Sequence, residues 1–174
     1  MAFNYLESVI KYFRQQKSLG DKTIEQLSGE NLLWQYNENS NSIAIIVNHL
    51  WGNMLSRWSN FLTEDGEKDW RNRDTEFENV ISSKEELIKK WNEGWQCVFD
   101  ALESLKEEDL SKTIFIRKEP HNVGDAINRQ LAHYSNHVGQ IVYMGKMVLD
   151  EKWKSLSIPK GKSKDFNEKM MSGK

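Results

Sequence analysis

The stretch from Val123 to Leu149 constrains this chain most. Ala126, Ile141, Met144 and Val148 recur at the spacing of one helical face, and the same face carries Gln130, His133 and His137. Asn122 followed by Asp125 reads as an N-cap with an acid in the first turn, so the pattern predicts one long helix over 123–149. Within it the two histidines lie four residues apart, one turn above the other. Two neutral imidazoles so placed can hold one first-row metal ion, and a third ligand from another helix would complete the usual half-open His site. His49 is the candidate for that ligand.

The same periodicity organises the rest of the chain. Phe3, Leu6, Ile10 and Phe13 predict a first helix from Phe3 to about Leu19, with Gly20 as its stop. A polar run ending at Ser42 precedes Ile43, Ile46, Val47, Leu50, Met54 and Phe61, giving a second helix over 42–63. Ser82 and Ser83, each followed three residues later by Glu85 and Glu86, offer overlapping capping boxes. A third helix with Leu87, Trp91, Val98, Leu102 and Leu105 follows them. The connection from Thr63 to Ser82 is too long for a simple helix hairpin and reads as a crossover or a functional loop. Its Trp70-Arg71-Asn72-Arg73-Asp74 cluster either caps a site as a lid or docks Trp70 onto the helices. Thr113–Arg117 reads as an isolated extended piece closed by Pro120. The expected fold is therefore all-α, a four-helix bundle over 1–150 in up-down-down-up order, followed by a Lys-rich flexible tail over 151–174.

Charge and composition exclude several functions. With 24 basic against 26 acidic residues, no basic excess favours nucleic acid. No apolar run is long enough for a membrane span, and the start lacks the form of an export signal. A single cysteine, Cys97, fits a reducing compartment, so a soluble cytoplasmic location is expected. Beside Trp95 it reads as a small buried hydrophobe, and Trp91 and Trp95 read as core or as a dimer surface.

Rise per residue tests whether the histidines meet. With the second and fourth helices antiparallel and flush, His49 falls at the height of His133 and His137; with them parallel, it lies roughly 9 Å from their midpoint. The long connection permits the antiparallel order. On spacing alone the three remain open to a second reading, as core histidines satisfied by Asn48, Asn136, Gln140 or backbone. His121 lies outside the helix and reads as a loop residue.

NHLWGNMLSRW on the second helix together with AHYSNHVGQIVY on the fourth resembles the DinB-like superfamily of metal-binding four-helix bundles, which includes YfiT-type proteins and bacillithiol S-transferases. The segment HLWGNMLSRWSNFLTEDGEKDWRNRDTEF is similar to a branch known mainly as a domain of unknown function. The resemblance implies one ligand at His49 and two at His133 and His137, a divalent ion such as zinc or nickel, and a homodimer. It also implies a thiol S-transferase or a metal-dependent hydrolase acting on an unknown small molecule, with a low-molecular-weight thiol as one candidate. The alternative is a non-catalytic interaction bundle with a structural histidine cluster. Asn48, Gln130 and Gln140 are candidates to support the ligands. Arg57 and Arg129 either line a pocket mouth for an anionic substrate or pair with surface carboxylates.

Overall fold

The computed structural model describes residues 4–78 and 80–172. It is mostly helical. The four long helices are α1 (Tyr5–Gln26), α3 (Ile43–Trp58), α4 (Lys84–Ser104) and α5 (Val123–Leu149), and the short ones are α2 (Gly29–Leu33) and α6 (Ser163–Met171). Strands β1 (Thr113–Ile116) and β2 (Glu119–Asn122) pair antiparallel between α4 and α5. Among the described residues no helix is long and apolar enough to cross a membrane.

Each long helix starts where a side-chain oxygen satisfies one of its free N–H groups. Asn4 accepts from Glu7, Ser42 from Ile45, Ser83 from Glu86 and Asn122 from Asp125. The fourth predicted helix matches α5 at both ends. Phe3, the predicted start of the first helix, lies outside the described residues.

Gly20 does not end α1, which continues to Gln26. A Cβ at Gly20 would stand 2.3 Å from the Trp91 ring, so the residue is small because α4 comes close there. The second helix stops at Trp58 rather than 63, where Ser59 turns extended and Asn60 takes a φ of 50°. The isolated extended piece is instead half of a hairpin, and Pro120 lies inside β2 opposite Phe115 rather than closing β1. Arg117 and Lys118 form its turn, both at positive φ, the conformation that Asn-Gly pairs usually supply. The Asp65 carboxylate offsets the strain by accepting the backbone N–H of each at 2.8 Å. A carboxylate from a distant loop therefore does what the local sequence does not encode.

Contacts fix the directions of the long helices. Along α3 and α4 partner numbers rise together, from Asn48 with Lys90 to Ser59 with Cys97. They also rise together along α1 and α5, from Tyr5 with Asn128 to the approach of Gly145 to Thr23. Across α1 and α4 they run oppositely, from Arg14 with Glu103 to Lys84 with the Glu25 carbonyl. Thus α1 and α5 point one way, and α3 and α4 the other.

The four long helices meet at four rings, one from each. Phe13 stands edge-on to Trp58 at 5.9 Å and to Tyr134 at 6.0 Å, and Trp95 lies 5.8 Å from Tyr134. All four are buried. The Trp58 indole donates to the Tyr134 hydroxyl, which donates to Asn53 Oδ1 at 3.0 Å, so these two rings are satisfied, whereas the buried Trp95 Nε1 has no hydrogen-bond partner among the described residues. Beyond α5, Lys154 donates its N–H to Gln26, which keeps the start of the Lys-rich segment on α1, whereas α6 has no buried residue.

Two glycine substitutions separate helix propensity from packing. Gly139→Ala, at an exposed α5 position with nothing within 4 Å, should raise stability by about 0.5–1 kcal/mol. Gly20→Ala gains the same propensity but must displace the Trp91 ring, and overpacking of this kind costs about 1–3 kcal/mol. Urea unfolding followed by tryptophan fluorescence should show opposite shifts in midpoint; a gain for both would refute the packing role of Gly20.

Candidate metal centre

α3 and α5 bring His49, His133 and His137 to one place. The donor atoms of the three rings lie within 4.8 Å of one another and could hold a metal ion. His133 Nε2 faces His49 Nε2 at 3.3 Å and His137 Nε2 at 3.1 Å. Donors about 2.0–2.1 Å from a tetrahedral ion stand roughly 3.3–3.4 Å apart, close to these two separations. His49 is buried, whereas His133 and His137 are partly exposed.

Neighbouring acceptors orient two of the rings. His49 Nδ1 lies 2.9 Å from Glu76 Oε2, and since an ionised carboxylate only accepts, Nδ1 carries the proton. In the neutral ring this leaves the Nε2 lone pair aimed at the cluster. His137 is held in the same way by Gln140 Oε1 at 2.9 Å from its Nδ1. An imidazole whose far nitrogen is fixed by a carboxylate or amide is the usual support for a metal-ligating histidine.

Glu76 is the residue that spacing could not find. It lies in a 3-10 turn, Asp74–Phe77, inside the long connection, where no helical period ties it to His49. Several contacts hold it there. Arg71 donates to both of its carboxylate oxygens, at 2.6 and 2.9 Å. Asn48 donates to its backbone carbonyl at 3.1 Å, and Lys90 fixes the Asn48 amide in turn. Gly52 makes room, since a Cβ there would lie 2.5 Å from Glu76 Oε1. Phe77, next in sequence, stacks on the His49 ring at 4.8 Å. Burial alone would raise the Glu76 pKa, but the hydrogen bonds from His49 and Arg71 outweigh it and hold the group ionised.

Other candidates fall into distinct roles. Asn48 acts through the Glu76 backbone rather than on a histidine. Gln130 is buried and lines a cavity of about 210 Å³ that opens beside His49 and His133. Arg57 and Arg129 line it as well, but Arg57 is buried and donates to the Gly66 carbonyl and to Glu67. Of the WRNRD cluster, Arg71 and Arg73 face this cavity, while Trp70 is 60% exposed, which overturns its docking on the helices. His121 sits in β2 with Nε2 buried, away from the cluster.

A groove of about 620 Å³ between the C-terminal halves of α3 and α4 contains Cys97 and no histidine. Burial pushes the Cys97 thiol pKa up, so it is a poor nucleophile. The chemistry instead gathers at the smaller cavity. There, burial first and then the adjacent imidazoles and arginines lower the His133 pKa to about 3, and burial lowers that of His137. Neutral rings with free lone pairs are what a cation requires.

Comparison with known proteins supports the fold and names a family. A solved structure described as the conserved protein of locus from Enterococcus faecalis superposes with a TM-score of 0.64 at 15% sequence identity, covering 85% of this chain and 99% of that one. At that identity the likeness concerns the fold alone. No curated protein matches the sequence. A family model described as a protein of unknown function (DUF1572) matches residues 1–162, spanning both histidine-bearing helices and the Glu76 turn, and this chain therefore belongs to that family.

Proposed function

We propose that this chain is a DinB-like four-helix bundle in up-down-down-up order that binds one divalent ion, zinc or nickel, through His49, His133 and His137. We further propose that it acts as a metal-dependent thiol S-transferase or hydrolase on a small molecule, and that it works as a homodimer. The observation that carries the reading is the convergence of three Nε2 atoms at 3.1 and 3.3 Å beside an open cavity. A buried structural cluster would need no such opening.

Three neutral imidazoles leave a bound ion its full charge, which makes the proton of a water or thiol beside it easier to remove near neutral pH. The chain's own groups set up that chemistry. Glu76 and Gln140 keep the rings of His49 and His137 in the tautomer that points Nε2 inward. The Tyr134 ring packs against His133, and burial pushes the phenol pKa up, so it stays a neutral donor to Asn53. Gln130 faces the cavity from α5 and is placed to orient a ligand there.

Elemental analysis of tag-free protein should give about one divalent ion per chain, lost in a folded His133→Ala/His137→Ala variant. No ion in the wild type after reconstitution with zinc or nickel would end the metal reading. Glu76→Gln keeps a neutral partner for Arg71 but removes the carboxylate from His49. It should weaken metal affinity roughly 10–100-fold with the helical signal retained, as measured by competition with a chromophoric chelator.

The sign of the pH effect on metal-free protein follows from His133. Its folded pKa, about 3, lies below the ordinary 6.5, so between those values the unfolded chain binds a proton that the folded chain does not. This contribution to stability is present above pH 6.5 and is lost as the pH falls towards 3. Urea midpoints of chelator-treated protein should drop more steeply from pH 7 to pH 5 in the wild type than in His133→Ala. Parallel slopes would show that His133 is not buried as described.

A further inference from the structure

The cavity beside the histidines differs in charge from the rest of the molecule. Arg57, Arg71, Arg73, Arg117 and Arg129 all line it. Among the described residues the carboxylates that reach these five are Glu67 and Glu76. The chain as a whole has a net charge of −2, so the cationic excess is local. Like charges gathered in a recess raise its energy unless a counter-charge enters.

The donors are not used up by the carboxylates. Arg57 donates to the Gly66 carbonyl and, at 3.0 Å, to Glu67 Oε2, which also accepts from Arg117 Nε at 3.0 Å. Arg71 commits one edge to Glu76, but its Nη1 is sealed from solvent with no hydrogen-bond partner. Its nearest carboxylate oxygen, on Glu67, lies 3.6 Å away, beyond bonding distance. The Arg71 side chain is only 2% exposed. Arg73 and Arg129 are exposed, and their side chains form no hydrogen bond or ion pair among the described residues. Gln130 Oε1, buried in the same wall, lacks a donor.

We propose that this recess binds a small oxyanion, a carboxylate or phosphoryl group, belonging to a ligand whose other end faces His49 and His133. Guanidinium forks meet both groups in bidentate fashion, and the buried orphan at Arg71 Nη1 gives the anion a fixed innermost contact. Gln130 Oε1 then accepts from a hydroxyl on the anion or next to it. The substrate of the site is on this account an anionic small molecule. The inference rests on the metal-centre reading for what the ligand's other end meets, while the anion contact stands on the arginines.

Calorimetric titration with sodium phosphate and with sodium malonate tests it. Chelator-treated and zinc-loaded protein are compared, with sodium chloride at matched ionic strength as the control. Chelator-treated wild type should bind at least one of the two anions saturably. Arg73→Ala/Arg129→Ala, which removes exposed side chains and leaves the fold intact, should weaken that binding about tenfold or more. Arg14→Ala, at an exposed pair on α1, should leave it unchanged. Tighter phosphate binding assigns a phosphoryl group, and tighter malonate binding a carboxylate. Absence of saturable binding by either anion overturns the proposal, as does binding that survives the double substitution. Binding confined to zinc-loaded protein and indifferent to the arginines would place the anion on the ion, which also overturns it. Anion binding to protein that takes up no metal would sink the metal-centre reading alone.

Discussion

Four aromatic rings at the crossing of the long helices hold the arrangement on which everything else depends. Phe13, Trp58, Trp95 and Tyr134 come one from each helix and are shut away from water. Burial of such side chains contributes about 1.5–3 kcal/mol apiece, and edge-on ring pairs roughly 0.5–1.5 kcal/mol more. Ring packing has a preferred geometry that aliphatic contact lacks, so it fixes register as well as closeness. Tyr134 is the neighbour of His133 in sequence, and its hydroxyl reaches Asn53, one turn from His49. The rings that fasten the core therefore also set the height at which the imidazoles meet.

A second layer is polar and comes from the connection between α3 and α4. Glu76 joins His49 to Arg71, Glu67 joins Arg71 to Arg57 and Arg117, and Asp65 fastens the β1–β2 turn. Buried charges are tolerable only when paired and hydrogen-bonded, and here the ion pairs run from one to the next, with Arg71 Nη1 left without a hydrogen bond. Removing one member would leave its partner uncompensated. Chain with almost no regular structure is in this way fastened to α3 on one side and to the hairpin on the other.

Much of this was legible in the sequence, for definite reasons. Periodicity and capping residues located the long helices, because those signals are local: Asn122 marked the start of α5, and the i,i+4 step put His133 and His137 on one face. Rise per residue then matched the height of His49 once α3 and α5 were taken as antiparallel. What escaped was everything set by tertiary approach. Gly20 reads as a stop signal until Trp91 is seen against it, and Arg117-Lys118 does not look like a hairpin turn without Asp65. Glu76 carries no periodic signature at all, and Trp70, the conspicuous residue of its loop, turned out to face solvent.

The three histidines are unequal in how far apart the chain places them. His133 and His137 need only one turn of α5 to come together, while His49 is 84 residues from His133. Local helix formation assembles the first pair on a submicrosecond scale, whereas the third joins only after a long loop has closed and the core has docked. Opening of α3 away from α5 accordingly leaves a bidentate helix rather than an empty one. Two of the three side chains that could hold a cation thus stay together through a local unfolding event, and only the third depends on the complete tertiary fold.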